Sequence, residues 1–173
     1  FHDIPNTVYN VTKIALEKNV FMMNYHCAGG SKMLKEASRA ASEKEGTKPI
    51  LLGVTILTSM DEKQFEEVGY LGQIEDKVIA FAKMASLSGM DGVVASPKEA
   101  KKIKEILGKE FIVVTPGIRP LWSVKGDQKR VLTPADAVRE GSDYLVIGRP
   151  IIKADNPKEA AQRIIDEIAS LSS

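Results

Sequence analysis

The apolar positions of this chain alternate between helical spacing and short unbroken runs. Val8, Val11, Ile14 and Ala15 recur at helical intervals behind Asn6 or Thr7, either of which can cap a helix. Val20 to Tyr25 is an apolar run of strand type, ended by Gly29-Gly30. Ser31 then offers a cap to a helix carrying Met33, Leu34, Ala37, Ala40 and Ala41, and Gly46 stops it. Pro49 to Leu57 is apolar throughout, as expected of a strand covered on both faces. A charged stretch over 61–67 predicts a short helix, and 74–88 a longer one with Val78, Phe81, Ala82 and Ala85 on one face.

The rhythm continues through a strand at 92–95 and a helix opened by Pro97, where the missing N–H costs nothing. A strand at 111–115 follows, then an aperiodic loop from Pro116 to Leu132 and a helix opened by Thr133-Pro134. A strand at 144–147 and a helix from Pro157 to about Leu171 complete the pattern. One helix followed by five strand–helix units, without hairpin signals, predicts a parallel sheet with right-handed crossovers. Periodicity leaves two windings open, a doubly wound sheet and part of a (β/α)8 barrel. Without linkers or low-complexity tracts, residues 1–173 are expected to form a single domain.

Composition narrows the function classes. The chain has 173 residues, 43% hydrophobic and 27% charged, the proportions of a soluble globular protein. Twenty-four basic against 23 acidic residues argue against a nucleic-acid binder. Cys27 is the single cysteine, which excludes an internal disulfide and fits a reducing, cytoplasmic compartment. No apolar run reaches the roughly 18 residues of a membrane span.

Polar and glycine residues cluster after each strand: 26–30, Thr58-Ser59, Ser96-Pro97, 116–130 and Gly148-Arg149. Ligands of parallel α/β folds gather at the carboxyl ends of strands, so one site built from many loops is expected. Pro116-Gly117-Ile118-Arg119 and Gly148-Arg149 each join a glycine to an arginine, which suits a phosphate: the glycine admits backbone N–H groups and the arginine adds a fork. The competing reading makes Gly148 a tight turn and Arg149 a solvated charge. Asp3, ahead of the first helix, is open to a capping role or a catalytic one. His26-Cys27 raises a nucleophile pair without support elsewhere, and Trp122 is either a lid residue or a partly buried anchor.

Taken together, several of these segments resemble the orotidine 5′-phosphate decarboxylase family. Phe1-His2-Asp3-Ile4-Pro5-Asn6-Thr7 looks like the end of that family's D-x-K-x-x-D-I-P-x-T signature. Leu57-Thr58-Ser59, Pro116-Gly117-Ile118-Arg119, Gly126-Asp127-Gln128 and Ile147-Gly148-Arg149-Pro150 match its other motifs in order. The resemblance implies a (β/α)8 TIM barrel, of which this chain supplies about the last five strand–helix units. It further implies a homodimer with shared active sites and a cofactor-free decarboxylation of orotidine 5′-phosphate to UMP in pyrimidine synthesis.

Carried over by position, Asp3 is the signature's last aspartate and belongs to the charged array of the partner's site. Ile4, Pro5, Asn6 and Thr7 join the substrate-binding set, with Ile4 and Thr7 lining the partner's site. Thr58 and Ser59 meet the pyrimidine ring. Pro116, Arg119 and Gln128 come from the long loop, and Gly148 and Arg149 hold the phosphate. The proton-donating lysine would sit directly before Phe1, with three strand–helix units expected upstream, since a full barrel takes about 250 residues. Two alternatives accompany this reading: a metal-dependent hexulose-phosphate synthase or ketogulonate-phosphate decarboxylase of the same superfamily, and a non-catalytic phosphate-binding fragment.

Overall fold

In the computed structural model, which describes residues 1–123 and 132–172, every strand runs in the same direction and pairs with the next in chain order. The elements are α1 (Pro5–Glu17), β1 (Met22–His26), α2 (Gly30–Ser42), β2 (Ile50–Val54), α3 (Glu62–Glu67), α4 (Ile74–Leu87) and β3 (Gly92–Val94). There follow α5 (Pro97–Leu107), β4 (Ile112–Pro116), α6 (Pro134–Arg139), β5 (Tyr144–Val146), α7 (Arg149–Ile152) and α8 (Pro157–Ala169). A doubly wound sheet reverses its strand order at a switch point; the order β1-β2-β3-β4-β5 contains no reversal.

The sheet also curls. Flat, β1 and β5 would lie four spacings apart, about 19 Å, farther than two aromatic side chains can bridge. Yet the rings of Phe21, just before β1, and Tyr144, at the start of β5, meet with centroids 6.0 Å apart. The five strands are therefore an arc of a closing barrel. On the far edge of β1, Phe1 continues the ladder: its N–H donates to the Asn24 carbonyl and its carbonyl accepts from His26 N–H, both at 2.8 Å.

The main core lies between sheet and helices. Met23, Tyr25, Leu51, Val93 and Val113 point outward from alternate strand positions against Val8, Leu34, Ala37, Val78, Ala82 and Ile103. Leu52 and Val114, of opposite parity, are buried on the concave side. Gly53 sits inside a strand for a packing reason: a Cβ there would come within 2.7 Å of Cys27 Sγ and 2.9 Å of Ala85 Cβ. Without it, α4 could not lie so close to the sheet.

Two expected caps differ. Asn6 and Thr7 fall inside the first turn of α1, because Pro5 brings its fixed φ to the first helical position and Ile4 occupies the cap without a side-chain bond. Ser31 likewise lies within α2, which starts at Gly30 behind a 3₁₀ turn, Cys27–Gly29, capped by His26. Asp61, by contrast, forms a full capping box with Gln64 on α3.

The amino-terminal rim of the sheet repeats one device. Helices α4 and α6 each end in a glycine of positive φ, Gly89 and Gly141, followed two residues later by Asp91 and Asp143 at the foot of the next strand. Asp91 donates its N–H to Leu51 O at 2.8 Å and accepts Leu51 N–H on its carboxylate at 2.7 Å. Asp143 treats Val113 in the same way, at 2.9 and 2.7 Å, and also holds Lys104 Nζ at 2.6 Å. Each aspartate thus closes both backbone groups of the preceding strand, which would otherwise lack partners. Asp143→Ala is expected to lower the unfolding free energy by about 1–3 kcal/mol in urea titrations, with Asp143→Asn recovering part of the loss by keeping an acceptor.

Candidate functional site

Parallel pairing puts the carboxyl ends of all five strands on one rim. The register aligns His26 with Val54, Val54 with Val94, Val94 with Val114, and Pro116 with Val146. The loops that leave this rim carry the residues singled out from the sequence.

Arg119 and Arg149, from the last two of these loops, line one pocket of about 490 Å³ together with Trp122 and Lys153. Arg119 is held through its backbone, whose N–H donates to Leu132 O at 3.3 Å. Next to it, Gly117 has φ +79°, a conformation L side chains rarely adopt, and Thr58 Oγ1 stands 3.6 Å from where a Cβ would lie. Thr58 therefore borders the arginine loop, with the exposed Ser59 beside it. Gly148 behaves differently. Its φ is −101°, and a Cβ there would meet nothing within 4 Å. Neither crowding nor a positive φ requires glycine at this position, and its carbonyl opens a tight turn by accepting the Ile151 N–H at 2.9 Å.

Asp3 stands at the other end of the rim. Its carboxylate accepts the adjacent Ile4 N–H at 2.6 Å and does not cap α1. Among the described residues, no ion pair includes it. Pro5, Asn6 and Thr7 form the first turn of α1. The structure thus brings Arg119 and Arg149 to one pocket, with Thr58 beside Gly117 of the arginine loop, and sets Asp3 to Thr7 apart at β1. Gln128, with Gly126 and Asp127, lies outside the described residues.

Cys27 is fully buried, turned toward α4 with its Sγ 3.9 Å from the Phe81 carbonyl, and burial pushes its thiol pKa up to about 12. A thiol so rarely ionised makes no nucleophile. Trp122 is an anchor: its ring lies under the Arg163 guanidinium of α8, 4.4 Å from ring centroid to Cζ. Three features escaped the sequence reading. Lys153, four residues past Arg149 and so on the same face of a helical turn, joins the pocket; that spacing was available to find it. The Trp122–Arg163 contact and the stacking of His2 on His26, with centroids 5.3 Å apart and planes at 14°, follow no spacing rule.

Comparison with known proteins assigns a lineage to this arrangement. Residues 1–164 match the model described as "Orotidine 5'-phosphate decarboxylase / HUMPS family". The chain is 44% identical over 174 residues to a protein of Heliobacterium modesticaldum named orotidine 5′-phosphate decarboxylase, covering 98% of this chain and 72% of that one. A namesake from Psychromonas ingrahamii is 49% identical over 169 residues, covering 97% and 72%. Among solved structures, the crystal structure of orotidine 5′-phosphate decarboxylase from Lactobacillus acidophilus superposes with a TM-score of 0.84 at 39% identity, over 97% of this chain and 72% of that one.

The rim also carries a pH-sensitive group. Burial, reinforced by the positive charge of His2, holds the His26 imidazole below the ordinary histidine value of 6.5. The unfolded chain therefore binds this proton more readily than the native one, so stability is full above that value and falls as pH drops below it. The thermal midpoint is expected to decline between about pH 7 and about pH 5. His26→Asn, which keeps an acceptor for the Ala28 N–H without titrating, should flatten the decline in a calorimetric pH series.

Proposed function

Because the chain belongs to the orotidine 5′-phosphate decarboxylase / HUMPS family, we propose that it is the catalytic carboxy-lyase that converts orotidine 5′-phosphate to UMP. The reaction is cofactor-free, serves pyrimidine synthesis in the cytoplasm and runs in a homodimer with shared sites. The observation that supports this best is the convergence of Arg119 and Arg149 on one pocket, bordered through Gly117 by the Thr58 hydroxyl.

In this reading the substrate phosphate takes the two guanidinium groups, with the open space over Gly148 admitting an oxygen against the backbone. Thr58 and Ser59 meet the pyrimidine ring, and the Ser59 hydroxyl, able to donate and accept, recognises its imide edge. The phosphate is remote from the reacting carbon, so its binding energy serves to organise the site for the transition state. Asp3 enters the partner's site as part of an alternating lysine–aspartate array. The lysine directly ahead of Phe1 in the family motif gives its proton to C6 as the bond to the carboxylate breaks. Carbon dioxide leaves, and the electron pair it leaves behind forms the new C–H bond. Charges fixed in advance stabilise that carbanionic transition state without reorganisation.

The decisive measurement is the spectrophotometric loss of orotidine 5′-phosphate by the full-length protein, with and without EDTA. Turnover indifferent to the chelator is expected; no turnover, or turnover abolished by EDTA, would overturn the proposal, the second result in favour of a metal-dependent sugar-phosphate enzyme. Two variants test the phosphate site. Arg149→Ala is expected to raise KM by roughly 10- to 150-fold, about 1.5–3 kcal/mol of charge-assisted contact. Gly148→Ala is expected to leave the unfolding free energy within about 0.5 kcal/mol of the parent and still raise KM, because the added methyl meets no protein atom within 4 Å and takes space beside the phosphate.

A further inference from the structure

Among the described residues, the signature aspartate makes a single hydrogen bond. Asp3 is exposed, bonds the adjacent Ile4 N–H, forms no ion pair among the described residues and caps no helix. A carboxylate whose work is electrostatic must nevertheless be placed to within about half an ångström. The residues before it are held far more firmly. Phe1 is locked to β1 by two ladder bonds of 2.8 Å, one on each side of Tyr25. His2 then lays its ring on His26, nearly parallel.

The underside of that stack is built to stay in place. His26 Nδ1 accepts the Ala28 N–H at 3.3 Å, which fixes the ring's orientation and its neutral tautomer. His2 in turn sits over Gly29, where a Cβ would come 3.2 Å from His2 Cδ2 and 2.3 Å from Met33 Sδ. The glycine that ends the 3₁₀ turn after β1 thus leaves room chiefly for the Met33 side chain, with the His2 ring alongside. Among the described residues, the imidazole nitrogens of His2 make no hydrogen bond. Its described ring partner is the flat face of His26, a stacking contact that another flat ring could make.

We infer that the His2–His26 stack is the positioning device for Asp3, fixing the backbone one residue ahead of the carboxylate so that it projects from the rim in a single direction. His2 is a positioning residue, acting through its neighbour. The inference rests on the decarboxylase reading for its catalytic consequence, but its geometry stands apart from that reading.

The test uses the full-length protein, with His2→Ala, His2→Phe, Asp3→Asn and the His2→Ala/Asp3→Asn pair, assayed on orotidine 5′-phosphate. His2→Ala is expected to lower kcat about tenfold while KM moves less than about twofold. His2→Phe, which keeps a ring on His26, should recover most of that loss. In the Asp3→Asn background, His2→Ala should have no further effect on kcat. In parallel, the Ile4 amide proton, the donor to Asp3, is followed by NMR: it should move upfield in His2→Ala and keep its parent position in His2→Phe. The inference is overturned by an unchanged kcat in His2→Ala, by Phe performing no better than Ala, by an equal loss in the Asp3→Asn background, or by an Ile4 amide that does not respond. A parent protein without turnover would overturn the decarboxylase reading alone, and the Ile4 amide would still decide whether His2 sets the direction of Asp3.

Discussion

Everything on the carboxyl rim depends on one constraint, that five strands hydrogen-bond in parallel and in the order in which they are made. That pairing sends every outgoing loop to the same side, so Asp3, Thr58, Arg119 and Arg149 reach one rim from distant parts of the chain. It also divides the labour between the two ends of the sheet. The amino-terminal rim is closed by aspartates that occupy the backbone groups of neighbouring strands, and Lys104 is drawn into the same arrangement. The opposite rim keeps its glycines, hydroxyls and arginines open to a pocket. A barrel separates stability from chemistry in this way because its strands all point in one direction.

Two glycines illustrate how differently one residue type can be used. Gly53 is required by the protein itself, since a methyl would collide with Cys27 and Ala85. Gly148 is free of any such demand in the folded chain.

Much of the fold was legible in the sequence because buried parallel strands are uninterrupted apolar runs, and Ile50–Val54 and Ile112–Pro116 sit within a residue or a few of where those runs suggested. The winding was not legible, since periodicity describes each element and says nothing about which neighbour it joins. The ring contact between Phe21 and Tyr144 settles what spacing left open. Caps were misplaced where proline or glycine outcompeted the polar residue beside it, at Pro5 against Asn6 and Thr7, and at Gly30 against Ser31. In the site, glycine next to arginine was a readable signal at 117–119 and 148–149. The pairing of His2 with His26 had no signal, because it joins a strand end to a segment brought alongside only by the ladder at Phe1.

Trp122 has a consequence of an optical kind. It is the only tryptophan in the chain, it lines the pocket shared by Arg119 and Arg149, and its ring lies against a guanidinium of the last long helix. Its emission therefore originates from a single known place, next to two cationic groups that an anionic ligand would engage. The molecule carries its own dye at the mouth of its pocket, so that occupancy can be watched by intrinsic fluorescence in the unlabelled protein.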